Sequence, residues 1–236
     1  MWIAENQMMR ETERIVHRNL EFLPLDAYEG IVEGNALRLD WKALVPNVSY
    51  IIGNPPFVGY SLQSQEQKAD ILDLYRDENG QPYKTAGKID YVAGWYWKSA
   101  EYMATSPKTC TALVSTNSIT QGEQVASVWR PLVERFNITI DFAHRTFRWD
   151  SESNSKAHVH CVIIGFSVSD NNNGTIPPQP IKPLYDGERV SYVSHINAYL
   201  LPVSDIWIES RNKPLCKVSE IRSGGKPVEG GHLIFT

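Results

Sequence analysis

The sequence predicts an α/β protein built on a mostly parallel sheet. Short apolar segments with the length of buried strands alternate with longer segments whose apolar residues recur at helical spacing. The clearest strands are at 50–52 and 111–115, and the clearest helix runs from Val125 to Phe136. Because parallel strands need a crossover between them, usually a helix, this alternation predicts that 50–52 and 111–115 are parallel neighbours.

Two further segments are expected before these strands. Residues 3–19 place apolar side chains on one stripe and charged side chains opposite, the pattern of an amphipathic helix. Ile31 and Val32 suggest a short strand that runs into a loop at Asn35. The strand at 50–52 then stops at residues 53–56, because two prolines cannot donate hydrogen bonds to a ladder.

The rest of the chain divides into a long loop, a second helix and two strands. Residues 61–88 are polar and predict a loop with one helix at 64–76. Asp90 is a candidate N-cap for a helix from Tyr91 to Met103. Strands at 138–142 and 159–166 are joined by a polar stretch and are expected to pair antiparallel.

The character of the sequence changes after Ser167. A run of asparagines at 171–173 and several prolines, of which Pro183 is the last, mark a linker. The segment that follows, to Thr236, has no strong periodicity. We therefore expect two regions, 1–168 as a partial catalytic domain and 169–236 as a linker with the start of a target-recognition region.

The composition limits the classes of function that the chain can have. The 236 residues carry a net charge of −4 and three cysteines without ligand-like spacing, which suits a reducing cytoplasm. No apolar run approaches the ~20 residues that span a bilayer, so no membrane partner is expected. A protein that holds DNA through its phosphates needs a basic surface, and the scattered basic residues here provide little of one. If DNA is the substrate, its clamp must lie elsewhere in a larger protein.

The strongest chemical signal is Asn54-Pro55-Pro56-Phe57 directly after the strand at 50–52. The carboxyl end of a strand in an open α/β sheet is where such folds bind ligands. An aromatic amine is a poor nucleophile because its lone pair is delocalised into the ring. An asparagine oxygen and a proline carbonyl can each accept one amine hydrogen and stabilise the amine as it pyramidalises. Phe57 offers a face on which a base can stack, while a simple turn is the alternative interpretation.

The residues around this motif resemble a known family. Asn54 to Phe57 looks like the catalytic motif of class I amino-methyltransferases that act on DNA adenine. The resemblance continues in order through Gly34-Asn35-Ala36-Leu37 with Asp40-Trp41, Gly53 to Gly59, Asp90-Tyr91-Val92 with Trp95-Tyr96, Ser115 to Gln124, Phe142 to Phe147 and Val159 to Phe166. This series, over about 31–166, is similar to the methyltransferase region of MmeI-like single-chain restriction–modification enzymes.

The resemblance implies a fold and roles for individual residues. The fold would be the Rossmann-like sheet of class I S-adenosylmethionine-dependent methyltransferases, closed by an antiparallel hairpin. The cofactor would be S-adenosylmethionine, held by Asn35, Ala36, Leu37 and Asn54, with 35–37 at the end of a strand. Asn54, Pro55, Pro56 and Phe57 would be catalytic and would hold an adenine flipped out of double-stranded DNA.

The sequence also departs from the family. A glycine-rich loop of the kind Asp-Pro-x-x-Gly-x-Gly after a first strand, and an acidic residue after a second, are both missing. We therefore expect an incomplete sheet without its first two strands. A lone chain of this kind would be inactive, and a complementing chain would carry the missing half.

Other interpretations stay open. The target amine could be cytosine N4 or a protein glutamine, or the chain could be a non-catalytic remnant or subunit that binds DNA or a partner. His158 and His160 share a strand face, as metal ligands can, but no third ligand is spaced nearby, so no metal is expected.

Overall fold

The structure is a computed structural model that describes residues 2–16, 30–149, 159–169, 181–209, 211 and 216–217. It divides into two compact units, Met1–Val45 and Pro46–Thr236. In the described residues, no helix is long and apolar enough to cross a membrane.

The first unit contains helix α1 (Trp2–Val16) and the short helix α2 (Trp41–Leu44). The helix expected at 3–19 is confirmed as far as residue 16, and its last residues lie outside the described part. The strand expected at Ile31 and Val32 is not formed: residues 31–33 are neither helix nor strand, and both side chains are exposed. An isolated apolar pair cannot form a strand without a neighbouring strand to receive its hydrogen bonds.

The second unit is built on one six-stranded sheet. Its strands and helices are β1 (Tyr50–Gly53), α3 (Gln65–Leu74), α4 (Ala93–Thr105), β2 (Cys110–Thr116), α5 (Gly122–Phe136), β3 (Ile138–Trp149), β4 (Val159–Val168), β5 (Lys182–Asp186) and β6 (Arg189–Val193). Short 3₁₀ helices lie at Tyr60–Leu62, Ala86–Lys88 and Asn117–Thr120. The strand order is β1-β2-β4-β3-β5-β6.

The pairing confirms the two central expectations for the sheet. β1 pairs parallel with β2, with Ile51 opposite Thr111 and Gly53 opposite Leu113. β3 and β4 pair antiparallel, and β4 also pairs antiparallel with β2. β1 is an edge strand of the described sheet, and Tyr50 and Ile52 are 72% and 81% exposed.

The sheet continues beyond the expected linker. β5 pairs parallel with β3, and β6 pairs antiparallel with β5. The expectation of a mostly parallel sheet is wrong for the described strands, because three of their five pairings are antiparallel. The sequence analysis missed this hairpin because the prolines before it suggested irregular structure. Pro183 is the second residue of β5. Lys182, which precedes it, is buried and donates from Nζ to the Thr139 hydroxyl and the Ile140 carbonyl, both at 2.6 Å.

The core between the helices and the sheet is aromatic. The Tyr96 ring of α4 stacks on Phe166 of β4 and meets Trp129 of α5 edge to face, each with 5.2 Å between ring centroids. Trp129 donates from Nε1 to the Ile119 carbonyl at 3.0 Å, and the Tyr96 hydroxyl is hydrogen-bonded to the Ser115 hydroxyl. Both polar links reach the carboxyl end of β2, so the core fixes the region where a site is expected.

A close approach inside the sheet makes one glycine indispensable. β3 carries a bulge between Ile140 and Phe142, and the Phe142 ring lies directly over Gly165 of β4. A Cβ added to Gly165 would lie 2.0 Å from Cε1 of that ring. Only glycine therefore fits opposite Phe142 in this register.

We expect Gly165→Ala to lower the free energy of unfolding by about 1–3 kcal/mol, the usual effect of overpacking a core. Urea denaturation of the chain measures the change. Gly87→Ala is the control, because a Cβ there meets nothing within 4 Å. Phe142→Ala should relieve the clash, so a double mutant as destabilised as the sum of both single mutants would contradict this account.

Candidate active site

The candidate site lies where β1 and β2 end. Because the two strands are parallel, their carboxyl ends reach the same edge of the sheet. The loop 54–57 follows β1 directly, and Asn117 follows β2 as the first residue of its 3₁₀ helix. The structure thus brings the Asn54 motif and the Asn117 segment to one edge of the sheet.

Asn54 is exposed, and its side chain makes no hydrogen bond to any residue that the structure describes. Pro55, next to it, is buried and anchors the loop. An amide side chain on an anchored backbone, without a partner of its own, can bind a ligand without first giving up an internal hydrogen bond.

The two proline carbonyls differ in their availability. The Pro56 carbonyl accepts the Val58 N–H at 3.2 Å, whereas the Pro55 carbonyl accepts no hydrogen bond from the described residues. The sequence could not distinguish these two acceptors. Of the two, only the Pro55 carbonyl keeps both lone pairs free of hydrogen bonds from the described residues.

Phe57 is 37% exposed, so part of its ring is open to a stacking partner. Tyr60, at the start of the next 3₁₀ helix, is also exposed. The loop therefore presents two aromatic rings to solvent, a feature of surfaces that bind bases.

Contacts with the start of α4 hold the loop in place. The Tyr91 N–H donates to the Val58 carbonyl at 2.9 Å, and the Gln63 amide donates to the Ile89 carbonyl at 2.8 Å. Asp90 does not cap α4, whose N-cap is Val92 and has no side-chain cap. Its carboxylate instead accepts the Tyr60 N–H at 2.9 Å, because the chain turns back here toward the loop after β1.

The residues expected to hold the cofactor adenine, Asn35 to Leu37, lie in a turn of the first unit rather than at a strand end. Asn35 Oδ1 accepts the Leu37 N–H at 3.0 Å, and the Ala36 carbonyl accepts Nε1 of Trp41 at 2.7 Å. Leu37 is buried. These hydrogen bonds fix the shape of the turn. A planar heterocycle can bind against backbone groups that are held in place in this way.

The second unit also has a small cavity, which is lined by none of the candidate site residues. A cavity of about 30 Å³ lies between α5, β3 and residues 195–205, and is lined by Trp129, Val133, Ile138, Thr139, Ile140, His195, Ile196, Ala198 and Asp205. This volume is large enough for a water molecule. Among the described residues, no group of three or more His, Cys, Asp or Glu side chains could hold a metal ion; His158 lies outside them.

Comparison with known proteins gives the family. The model of the MmeI DNA-methyltransferase domain matches residues 1–176. The chain belongs to this family. It is 35% identical, over its whole length, to DNA methyltransferase A of Bacillus subtilis strain 168, of which it covers 26%.

The fold agrees with the family assignment. The structure of the type IIL restriction–modification enzyme MmeI in complex with DNA matches 98% of this MmeI-family chain with a TM-score of 0.81 and 37% identity. The chain covers 30% of that protein, so it spans between a quarter and a third of both relatives. The resemblance and the α/β methyltransferase fold expected from the sequence are confirmed.

We expect Asn54→Ala to change the free energy of unfolding by less than about 0.5 kcal/mol, as for surface positions without contacts. Asn197→Ala is the matched control. Its amide is buried, with Oδ1 accepting the N–H groups of Tyr199 and Leu201 at 3.0 Å each. Losing these bonds should destabilise the chain by about 1–3 kcal/mol. Equal losses in the two variants, measured by urea denaturation, would show that Asn54 has a structural role.

Proposed function

We propose that this chain provides the target-amine site of an S-adenosylmethionine-dependent DNA adenine-N6 methyltransferase that belongs to a restriction–modification system. The observation that carries the proposal is the pair of unused acceptors after β1, the Asn54 side chain and the Pro55 carbonyl. The family membership and the DNA complex of the relative support methyl transfer to DNA.

The two acceptors suit an exocyclic amine, which has two hydrogens to donate. Asn54 Oδ1 and the Pro55 carbonyl would each take one N–H. Their bonds would strengthen as the nitrogen pyramidalises and its lone pair turns toward the methyl group. Phe57 would stack on the extruded base, and the Pro56 carbonyl, already bonded to Val58, would only hold the loop.

S-adenosylmethionine, when bound, supplies a methyl group on a positively charged sulfur. We assign Asn35, Ala36, Leu37 and Asn54 to holding it. The turn at 35–37 is fixed by its own hydrogen bonds, and Asn54 presents an amide without an internal partner. Phe57 and the long matching series favour adenine over cytosine N4 or a protein amide.

The exposed edge of β1 suggests that a further segment pairs with this strand. Tyr50 and Ile52 are largely exposed, and β1 pairs only with β2 among the described strands. An open apolar edge recruits a further strand or aggregates. We propose that a segment with the glycine-rich loop, in the same polypeptide or another, pairs here and completes the cofactor site. On this proposal, residues 169–236 are a linker and the start of a target-recognition region.

In an assembly that contains this chain and the glycine-loop segment, Asn54→Ala should lower the rate of DNA methylation by about 10²–10³-fold, the usual effect of removing one polar transition-state stabiliser. Asn79→Ala, an exposed asparagine in the turn after α3, is the control. The products are digested to nucleosides and identified by mass spectrometry. N6-methyladenine is expected, whereas N4-methylcytosine, or full activity of Asn54→Ala, would reject the assignment.

We expect the 236-residue chain alone to have no methyltransferase activity and to bind S-adenosylmethionine very weakly or not at all. The cofactor needs backbone N–H groups at a glycine turn and a carboxylate for its ribose, and the sequence shows neither motif. Isothermal titration of the purified chain is the direct test. Micromolar binding would show that the proposed division of the cofactor site is wrong.

A further inference from the structure

Asp90 lies at the junction of the two loops that form the candidate site. It is only 7% exposed, yet it carries a carboxylate. Oδ1 accepts the Tyr60 N–H at 2.9 Å and the Gln124 side-chain amide at 3.2 Å, while Oδ2 accepts the Ser118 hydroxyl at 2.6 Å. One side chain thus links the loop after β1, the 3₁₀ helix after β2 and the start of α5.

The residues that Asp90 binds lie close in sequence to the proposed site residues. Tyr60 follows Phe57 by three positions, and Ser118 is the neighbour of Asn117. The Ser118 hydroxyl is also hydrogen-bonded to the Thr116 hydroxyl at 2.9 Å, at the last residue of β2. The Asp90 carboxylate therefore links the first loop directly to the segment at the end of β2.

The three donors to the Asp90 carboxylate are neutral, and no cation forms an ion pair with it in the described part of the chain. A buried carboxylate without a cation is costly, since neutral hydrogen bonds replace its hydration only in part. Groups of this kind are found where local stability is sacrificed for function.

We propose that Asp90 is a positioning residue for the methyl-transfer site, holding the Asn54–Phe57 loop in fixed register with the Ser118 segment. This inference rests on the proposed function for its effect on rate, but not for its effect on the loop. Asp90 acts through Tyr60 and Ser118 and contacts no substrate itself. A displacement of about 1 Å at a reacting centre lowers rates by about 10²-fold, so loss of the carboxylate should act mainly on kcat.

Two substitutions separate the links. Asp90→Ala removes all three. Asp90→Asn keeps one acceptor oxygen for Tyr60 and Gln124, and its amide can donate to Ser118 if that hydroxyl turns toward Thr116. Asp70→Asn is the matched control: Asp70 is equally buried, and its Oδ2 accepts the Tyr91 hydroxyl at 2.9 Å.

The first measurement is hydrogen exchange in the 236-residue chain. Protection of the Tyr60 amide should fall at least about 10-fold in Asp90→Ala, and less in Asp90→Asn. The Leu113 amide in the centre of β2 reports global stability and should be unchanged, as should Tyr60 in Asp70→Asn. Unchanged protection of Tyr60 in Asp90→Ala would overturn the proposal. If that variant does not fold, Ser118→Ala and Asp90→Asn provide the same comparison.

The second measurement is methylation by the assembly with the glycine-loop segment. We expect kcat to fall about 100-fold in Asp90→Ala and about 10-fold in Asp90→Asn, with KM for S-adenosylmethionine within about twofold of the wild type. Asp70→Asn should keep its kcat. A fall confined to KM, or equal losses in Asp90→Asn and Asp70→Asn, would overturn the positioning role. A wild-type assembly without activity would refute the proposed function, while the exchange of Tyr60 would still decide the role of Asp90.

Discussion

The parallel pairing of β1 with β2 is the constraint on which the candidate site depends. It sets the carboxyl ends of the two strands at one edge, so that the Asn54 loop and the Asn117 segment lie on the same side of the sheet. An antiparallel pairing would send these loops to opposite edges. The aromatic contacts of Tyr96 and Trp129, with their links to Ser115 and Ile119, secure the β2 side of this arrangement.

The loop after β1 combines a fixed backbone with exposed side chains. Its backbone is fixed by buried Pro55 and by hydrogen bonds to residues 89–91, while its side chains at Asn54 and Phe57 remain exposed. Fixing the backbone lowers the entropy lost on binding, and exposure leaves the polar and aromatic groups available. The rigidity comes from the segment before α4, which is distant in sequence.

The sequence predicted the parts of the structure that local patterns determine. The strands near 50–52 and 111–115, the helices α3 and α5, and the Asn54 motif follow from periodicity and from the two prolines. It did not predict the hairpin of β5 and β6, because linker prolines obscured its short alternation. The contact between Asp90 and Tyr60 joins residues 30 positions apart, and only tertiary structure reveals such a pairing. For the same reason, the different bonding of the Pro55 and Pro56 carbonyls is invisible in the sequence.

The position of β4 between β2 and β3 has a consequence for the synthesis of the protein. β2 and β3 leave the ribosome before β4, and neither can pair with the other directly in this order of strands. Until residue 168 has emerged, the nascent chain therefore exposes the unpaired apolar edge of β2. Such exposed edges are where growing chains aggregate or bind chaperones. The insertion of β4 is thus a late event on which the solubility of the nascent chain depends.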